Sequence, residues 1–208
     1  MSQHRPGPRL LLLDVMGTLV HDPYFHEMPG FFGMTLAELQ AVQHPTRWID
    51  FELGRVDEAT YLAEFFRDGR PLDGEALLAC LRSAYRLLPG IEALLDELKA
   101  AGVEMHALSN YAPWYCHVEA ACGLSRWLRW SFVSCETGVR KPDASAFEGA
   151  LRHLRIEPSE AAFVDDQPAN VAAAETLGIP SLVFDGASGL RRGLSALGLG
   201  LDPAGGEV

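Results

Sequence analysis

The chain has 208 residues, which is enough for one well-buried core and a smaller companion domain. Hydrophobic residues make up 48% of the sequence and charged residues 22%, as is usual for a globular protein. The formal net charge of −11 argues against a nucleic-acid or membrane partner, because phosphate-rich surfaces bind basic ones.

The four cysteines form neither a CxxC pair nor a zinc-like spacing, which favours reduced thiols in a cytoplasmic protein. The apolar run at 10–13 is too short for a signal peptide or a membrane span, and no targeting segment is visible. The polar stretch before this run and the glycine-rich stretch at 202–206 are expected to be loose.

The first predicted element is a strand that ends on a carboxylate. Leu10 to Leu13 form an unbroken apolar run, typical of a strand buried on both faces, and Asp14 follows it directly. Open α/β sheets bind their ligands at the carboxyl ends of the strands. Asp14 is therefore the first candidate site residue.

Residues 21–88 are predicted to be a block of helices without a strand. Its first part, 21–33, is rich in turn formers and aromatic residues and is expected to be an irregular connection. The predicted helices are one after a Thr35–Glu38 capping box, one over 47–53, one over 58–67 capped by Asp57, and one over 74–85 capped by Asp73.

From residue 89 the pattern changes to alternating helices and strands. Such alternation predicts a parallel sheet with right-handed crossovers. We expect one α/β core from 1–20 and 89–208, with 21–88 inserted into it. The predicted strands cover 103–108, 130–134, 162–164 and 180–184, and the predicted helices cover 90–102, 113–122, 144–154, 170–176 and 190–197.

Polar side chains follow successive predicted strands. One sheet edge would carry an acid, a hydroxyl, a cation and paired acids. Capping roles alone do not explain such a set, although a capping or solvent-exposed role remains the alternative for each residue. They are Asp14 after the first strand, Ser109 after the second, Lys141 in the loop after the third, and Asp165 and Asp166 after the fourth.

These motifs resemble those of the haloacid dehalogenase superfamily of hydrolases, in the same order and over almost the whole chain. The resemblance implies a Rossmann-like parallel-sheet core with helices on both faces and an inserted α-helical cap domain that closes over the substrate. The motifs are Asp14-Val15-Met16-Gly17-Thr18, Leu108-Ser109-Asn110, Lys141-Pro142-Asp143 and Phe163-Val164-Asp165-Asp166.

The resemblance assigns Asp14 the role of nucleophile, which attacks phosphorus and carries an aspartyl-phosphate. Ser109, together with the amide of Asn110, would hold the phosphoryl oxygens. Lys141 would neutralise charge on the nucleophile and on the phosphoryl group.

The resemblance also implies Mg²⁺ as cofactor, since hard oxygen ligands suit this ion. Its ligands would be Asp14, the backbone carbonyl of Met16 and the paired acids of the fourth motif. Asp166 is the closer match to the family's ligand, and Asp165 is either a second ligand or a support. Asn170 would orient these carboxylates.

Met16 departs from the pattern of the family's phosphatases. Those enzymes usually have a second Asp here, which protonates the leaving oxygen and then activates water, and a thioether does neither. His21, Asp22, His26 and Glu27 follow the motif and could substitute, although ordinary loop roles are the simpler interpretation.

Two subfamilies accommodate a non-acid at this position. The 2-haloacid dehalogenases have an aromatic residue there, but they need no metal and lack paired acids in the fourth motif. The plant plastid flavin mononucleotide hydrolases match more closely. The segments that carry this second likeness are Asp22–Phe25, Pro29–Met34, His44-Pro45, Trp48-Ile49 and Arg140–Asp143, beside the first and fourth motifs.

We therefore expect a magnesium-dependent phosphatase of a small phosphorylated metabolite, with flavin mononucleotide as one candidate, in a monomer or homodimer. The alternatives are a 2-haloacid dehalogenase and a catalytically weak member that binds a phosphorylated ligand or a protein. The aromatic residues of the helical block could stack on a flavin-like ring or form core. They are Tyr24, Phe25, Phe31, Phe32, Trp48, Phe65 and Phe66.

Overall fold

The computed structural model describes residues 7–199, so 202–206 and all but the last three residues of the predicted loose stretch 1–9 lie outside the described residues. Within that stretch, the Arg9 amide donates to the Glu160 carbonyl (2.8 Å), so its end is held rather than loose. The fold is organised by a five-stranded, all-parallel sheet with the strand order β3-β2-β1-β4-β5. The strands are β1 (Leu10–Leu13), β2 (Glu104–Ser109), β3 (Arg129–Val133), β4 (Ala161–Asp165) and β5 (Ser181–Val183).

Eleven α-helices of the described part connect these strands or follow the last of them. Between β1 and β2 lie α1 (Glu27–Phe32), α2 (Leu36–Val42), α3 (Arg47–Glu52), α4 (Glu58–Ala63), α5 (Gly74–Ala84) and α6 (Ile91–Ala100). The helices after β2 are α7 (Tyr115–Cys122), α8 (Ser134–Thr137), α9 (Ala144–Leu154), α10 (Pro168–Thr176) and α11 (Ala187–Ala196).

Both faces of the sheet are buried, which explains the unbroken apolar run of β1. Leu11 and Leu13 pack with α6, α7 and α11, whereas Leu10 and Leu12 pack with α9 and α10 on the opposite face. The predicted α/β class, a Rossmann-like parallel sheet with helices on both faces, is confirmed. Within the described residues, no helix is long and apolar enough to cross a membrane.

The segment 21–88, called the helical insertion below, packs on the first of these faces. Its buried side chains, such as Phe51 and Leu77, share one hydrophobic cluster with Leu11 and Leu13. The chain enters and leaves the helical insertion through two stretches that run side by side, where the Leu88 amide donates to the Leu19 carbonyl (2.9 Å).

Three local predictions were wrong. Residues 21–33 are not irregular: Pro23–Phe25 form a 3₁₀ turn capped by Asp22, and α1 follows and ends at Gly33, whose φ is +62°. The helix after Asp57 ends at Ala63 rather than 67 because the next segment pairs with the end of α2, where the Arg67 amide donates to the Val42 carbonyl (2.9 Å). The loop predicted after the third strand, which carries Lys141, begins with α8 instead.

Candidate active site

The predicted polar residues meet at the carboxyl edge of the sheet. β1 lies between β2 and β4. The chain therefore builds the sheet first on one side of β1, with β2 and β3, and then on the other side, with β4 and β5. Such a switch point leaves a crevice at the carboxyl ends of the strands. Asp14 follows β1, Asp165 ends β4 and Asp166 comes next. Ligand atoms of these three carboxylates lie within 4.8 Å of one another.

Lys141 lies between two of these carboxylates. Its Nζ is 2.7 Å from Asp14 Oδ1 and 2.6 Å from Asp165 Oδ2, and the residue is only 1% exposed. Asn110 fixes the lysine backbone, because its Oδ1 accepts from the Lys141 amide and its Nδ2 donates to the Lys141 carbonyl, both at 2.8 Å. The Asn110 side chain therefore positions the lysine.

The two acids of the fourth motif have different surroundings. Asp165 is fully buried, and besides Lys141 it accepts from the Gln167 amide (2.8 Å) and from Asn170 Nδ2 (3.0 Å to each oxygen). Asp166 is half-buried and its carboxylate accepts only from Gln167 Nε2 (2.6 Å) among the hydrogen bonds of the described chain. Asp166 is thus the acid with free oxygen lone pairs, and Asp165 the one held in place.

Burial sets the electrostatics of the site. Desolvation raises the pKa of Asp14 to about 7, an effect that Lys141 opposes and Asp165 reinforces. Burial also raises the pKa of Asp166. Burial alone lowers the pKa of Lys141, but the attraction of Asp14 and Asp165 outweighs it and raises that pKa.

Two buried polar atoms of the site have no hydrogen-bond partner among residues 7–199: Asp14 Oδ2 and Ser109 Oγ. Such atoms are rare in proteins, and at a sheet edge they indicate where a ligand completes the site. The carboxylates of Asp14, Asp165 and Asp166 form a hard, anionic donor set, which fits Mg²⁺. Ser109 is the last residue of β2, the strand next to β1, but it does not line the cavity described next.

A cavity of about 490 Å³ extends from the carboxylates to the helical insertion. Met16, Asn110, Lys141 and Asn170 line its floor beside the three acids. Its other walls come from α2, α3, α4 and the 3₁₀ turn. Of the aromatic residues considered above, Tyr24, Phe25, Trp48 and Phe65 line the cavity, whereas Phe31, Phe32 and Phe66 do not.

Glu52 lines the cavity, and its ion pair with Arg140 was not predicted from the sequence. Glu52, only 3% exposed, lines the cavity and accepts from Arg140 Nε (2.7 Å) and from Trp48 Nε1 (3.0 Å). Since Arg140 precedes Lys141, this pair joins α3 of the helical insertion to the lysine loop. A glutamate four residues after a tryptophan on one helix face was the available signal, but its partner lies 88 residues away.

Of the four residues considered as substitutes for the missing acid, only Asp22 lines the cavity. His21 is 2.8 Å from the Glu27 carboxylate, which it engages instead of the site. His26 is exposed and stacks on His21.

The comparisons with known proteins agree with this geometry. The model of the haloacid dehalogenase-like hydrolase family matches residues 8–178. A chloroplast flavin mononucleotide hydrolase from Arabidopsis thaliana is 43% identical over 96% of this chain and 81% of its own length. A phosphoglycolate phosphatase from Pseudomonas aeruginosa is 28% identical over 83% of this chain and 67% of its own. A solved structure of a predicted haloacid dehalogenase (HAD)-like family hydrolase from Porphyromonas gingivalis, 22% identical, shares the fold with a TM-score of 0.71, covering 92% of this chain and 98% of that one.

Proposed function

The chain belongs to the haloacid dehalogenase-like hydrolase family and is a hydrolase of its phosphatase kind, and from this premise we propose that it is a magnesium-dependent phosphomonoesterase acting through an aspartyl-phosphate. One observation carries the proposal: Asp14 presents a buried carboxylate oxygen that has no hydrogen-bond partner within 7–199, while Lys141 holds its other oxygen. A nucleophile that is oriented on one side and free on the other is what attack on phosphorus requires.

In the first half of the reaction, Asp14 Oδ2 forms a bond to phosphorus as the bond from phosphorus to the substrate oxygen breaks, and that oxygen leaves as an alcohol after taking up a proton. In the second half, water attacks the same phosphorus, the Asp14–phosphorus bond breaks, and inorganic phosphate is released. The Lys141 ammonium offsets the charge that the phosphoryl group brings to two buried carboxylates. Asn110 keeps that ammonium in place, and Ser109 would donate to a phosphoryl oxygen.

Asp14, Asp166 and the backbone carbonyl of Met16 would hold Mg²⁺. Asp165 and Asn170 would keep these carboxylates in position. When bound, the ion would supply positive charge to the phosphoryl oxygens and align them with the nucleophile.

Flavin mononucleotide is the substrate that we propose first. It is named in the relative that is 43% identical to this chain. The cavity has the size of a site for a small organic ligand, and Tyr24, Phe25 and Trp48 offer it aromatic faces. In this proposal the helical insertion (21–88) is a cap domain that covers the substrate, while 1–20 and 89–208 form the catalytic core.

We also propose the cytoplasm as its location, because Cys80, Cys116, Cys122 and Cys135 are all unpaired. The Arabidopsis relative is named as a chloroplast protein. A monomer or a homodimer remains the proposed assembly.

The test measures phosphate release from flavin mononucleotide and phosphoglycolate, and halide release from chloroacetate, each with Mg²⁺ or EDTA. We expect magnesium-dependent phosphate release that Asp14→Asn lowers by at least about 10³-fold, since removing a covalent nucleophile has effects of this size or larger. Asp68→Asn, which changes an exposed acid of the helical insertion, is the matched control.

Halide release without magnesium would overturn the phosphatase proposal in favour of dehalogenation. Binding of phosphorylated ligands without any turnover would favour the catalytically weak alternative.

A further inference from the structure

The proposed reaction needs a proton donor that Met16 cannot provide. Met16 lines the cavity beside Asp14, yet its thioether has no acidic proton. Loss of general acid–base catalysis lowers a rate by about 10²–10⁴-fold, so a phosphatase with this site gains much from a donor elsewhere in the cavity. The further inference rests on the proposed function and concerns that donor.

The cavity wall offers few groups that can exchange a proton near neutral pH. Beyond the four charged residues of the floor, its titratable side chains are Asp22, Tyr24, His44, Arg47, Glu52, Tyr61 and Tyr111.

Most of these groups are committed elsewhere. Both oxygens of Glu52 accept hydrogen bonds, one from an arginine with which it forms an ion pair. Burial raises the pKa of Tyr111 well above its ordinary value, and its hydroxyl bonds that of Tyr85 (2.9 Å). Burial raises the pKa of Tyr61 likewise. The Tyr24 hydroxyl is shared between Gln40 and Gln43, each at 3.3 Å.

Asp22 differs from these groups in how its carboxyl is used. Oδ1 accepts from the Tyr24 amide (2.9 Å) and caps the 3₁₀ turn, which fixes the side chain. Oδ2 takes part in no hydrogen bond among residues 7–199, and the half-buried residue lines the same cavity as Asp14 and Asp166. One oxygen therefore holds the group in position, and the other is free to face a ligand.

We propose that Asp22 is the general acid–base of this enzyme and replaces the carboxylate that Met16 lacks. As the substrate oxygen separates from phosphorus, the Asp22 carboxyl gives it a proton, so the alcohol leaves neutral and Asp22 becomes a carboxylate. In the second half, Asp22 takes a proton from the attacking water as its oxygen bonds to phosphorus. The proton balance closes, because each turnover returns Asp22 to its protonated form.

The surroundings of Asp22 favour this role. Burial raises the pKa of its carboxyl, the Tyr24 amide opposes the shift, and the negative charge of Asp166 adds to it. A raised pKa keeps more of the acid protonated near neutral pH, as a general acid requires. The other titratable groups that face it are His21, Glu27, Tyr85 and Tyr111.

Leaving groups of different basicity test the proposal on the full-length enzyme with Mg²⁺. Nitrophenyl phosphate expels an anion that needs no proton, whereas flavin mononucleotide expels a basic alkoxide. Asp22→Asn should lower kcat/KM for flavin mononucleotide by about 10²–10⁴-fold, and that for nitrophenyl phosphate by less than about tenfold. It should also show a burst of one nitrophenolate per active site, because the water attack has lost its base.

The variants are chosen to separate chemistry from folding. The side-chain carbonyl introduced by Asp22→Asn can still accept from the Tyr24 amide, so this variant should preserve the turn. Asp22→Glu should restore part of the activity on flavin mononucleotide. His44→Gln replaces the histidine of the cavity wall. In wild type, kcat/KM for flavin mononucleotide should decrease at alkaline pH, and this limb should vanish in Asp22→Asn.

Equal losses on both substrates would overturn the proposal, as would an unchanged profile in Asp22→Asn. A leaving-group-dependent loss in His44→Gln instead would assign the proton to His44. These outcomes differ from a failure of the proposed function, in which wild type would hydrolyse neither phosphate ester.

Discussion

At the scale of single residues, the buried carboxylates of Asp14 and Asp165 together carry one negative charge more than Lys141 neutralises. The Lys141 ammonium is shared by Asp14 and Asp165, and all three side chains are buried. Asp165 receives three further hydrogen bonds from the Gln167 amide and the Asn170 amide group, whereas the Asp14 carboxylate receives none beyond Lys141 from the part of the chain that the structure describes. The excess charge is therefore concentrated on Asp14, the residue that must react.

Replacing Asp14 by Asn should stabilise the metal-free protein above neutral pH. Burial raises the pKa of Asp14 to about 7, so between pH 4 and pH 7 the native state keeps a proton that the unfolded chain has lost. Wild-type stability thus declines as pH rises through this range, and Asp14→Asn removes that decline, gaining about 2–4 kcal/mol at pH 8. Urea unfolding in EDTA at pH 5 and pH 8 measures it.

Asp165→Asn is the contrasting variant. It turns an amide group toward the Lys141 ammonium and breaks a satisfied network, so it should lose about 3 kcal/mol instead. If both variants lost stability equally at pH 8, the excess charge would not lie on Asp14.

Sequence reasoning predicted which residues meet at this edge of the sheet, and the resemblance left open whether Asp165 is a second metal ligand or a support. Asp14, Lys141 and the paired acids were recognised because each follows a strand. That Asp165 supports and Asp166 remains free depends on hydrogen bonds to Lys141 and Asn170, which only the folded loop provides. The Glu52–Arg140 pair was invisible for the same reason.

At the scale of elements, helix starts were predicted where the capping signal is local. Thr35 and Glu38 form the expected capping box, and Asp57 and Asp73 cap their helices. The end of α4 was misplaced because pairing with a distant segment, not local propensity, stops it. Residues 21–33 were misjudged because turn-forming Pro and Gly occur inside a short helix whose buried Met28 packs in the core.

Gly54 is where the helical insertion meets α8. Its φ is +66°, and a Cβ here would lie 2.4 Å from the Cys135 carbonyl oxygen. Gly69 provides the matched comparison, with φ +70° and no described atom within 4 Å of a Cβ. Backbone strain is therefore common to both positions, and the clash is confined to Gly54.

Gly54→Ala should destabilise the protein by about 2–4 kcal/mol and Gly69→Ala by about 1 kcal/mol, because only the first adds a steric clash to the left-handed strain. The free energy of unfolding in urea measures both. Equal losses would mean that α3 and α8 do not approach closely in solution.

At the scale of the whole molecule, the site exists only because of the strand order. The alternation of helices and strands predicted a parallel sheet, but nothing in the sequence placed β1 between β2 and β4. That order brings Asp14, Ser109 and Asp165 to one edge, although they are distant along the chain. The long-range packing of α6 to α11 on the sheet determines this strand order. The spacing of the motifs along the chain does not reveal such long-range contacts and therefore could not predict the order.

Since the acids are supplied by separate strands, a cation that joins them should stabilise the entire fold. At a Mg²⁺ concentration 100 times its dissociation constant, binding to the native state alone adds about 2.7 kcal/mol. For a chain of this size that corresponds to an increase in Tm of roughly 5–10 °C. Thermal unfolding with Mg²⁺, compared with sodium chloride of equal ionic strength, measures this effect without reference to activity.

Asp14→Asn and Asp166→Asn should each lose most of this increase, because each removes an anionic ligand oxygen from the cluster. Asp68→Asn should retain all of it, since Asp68 is exposed in the helical insertion. An equal increase in all four proteins would indicate general ion binding to an acidic surface and would contradict a site at the sheet edge. An increase in Tm confined to wild type and Asp68→Asn would show that one ion stabilises strands from separate parts of the chain. The same carboxylates would then bind the stabilising ion and carry the proposed reaction.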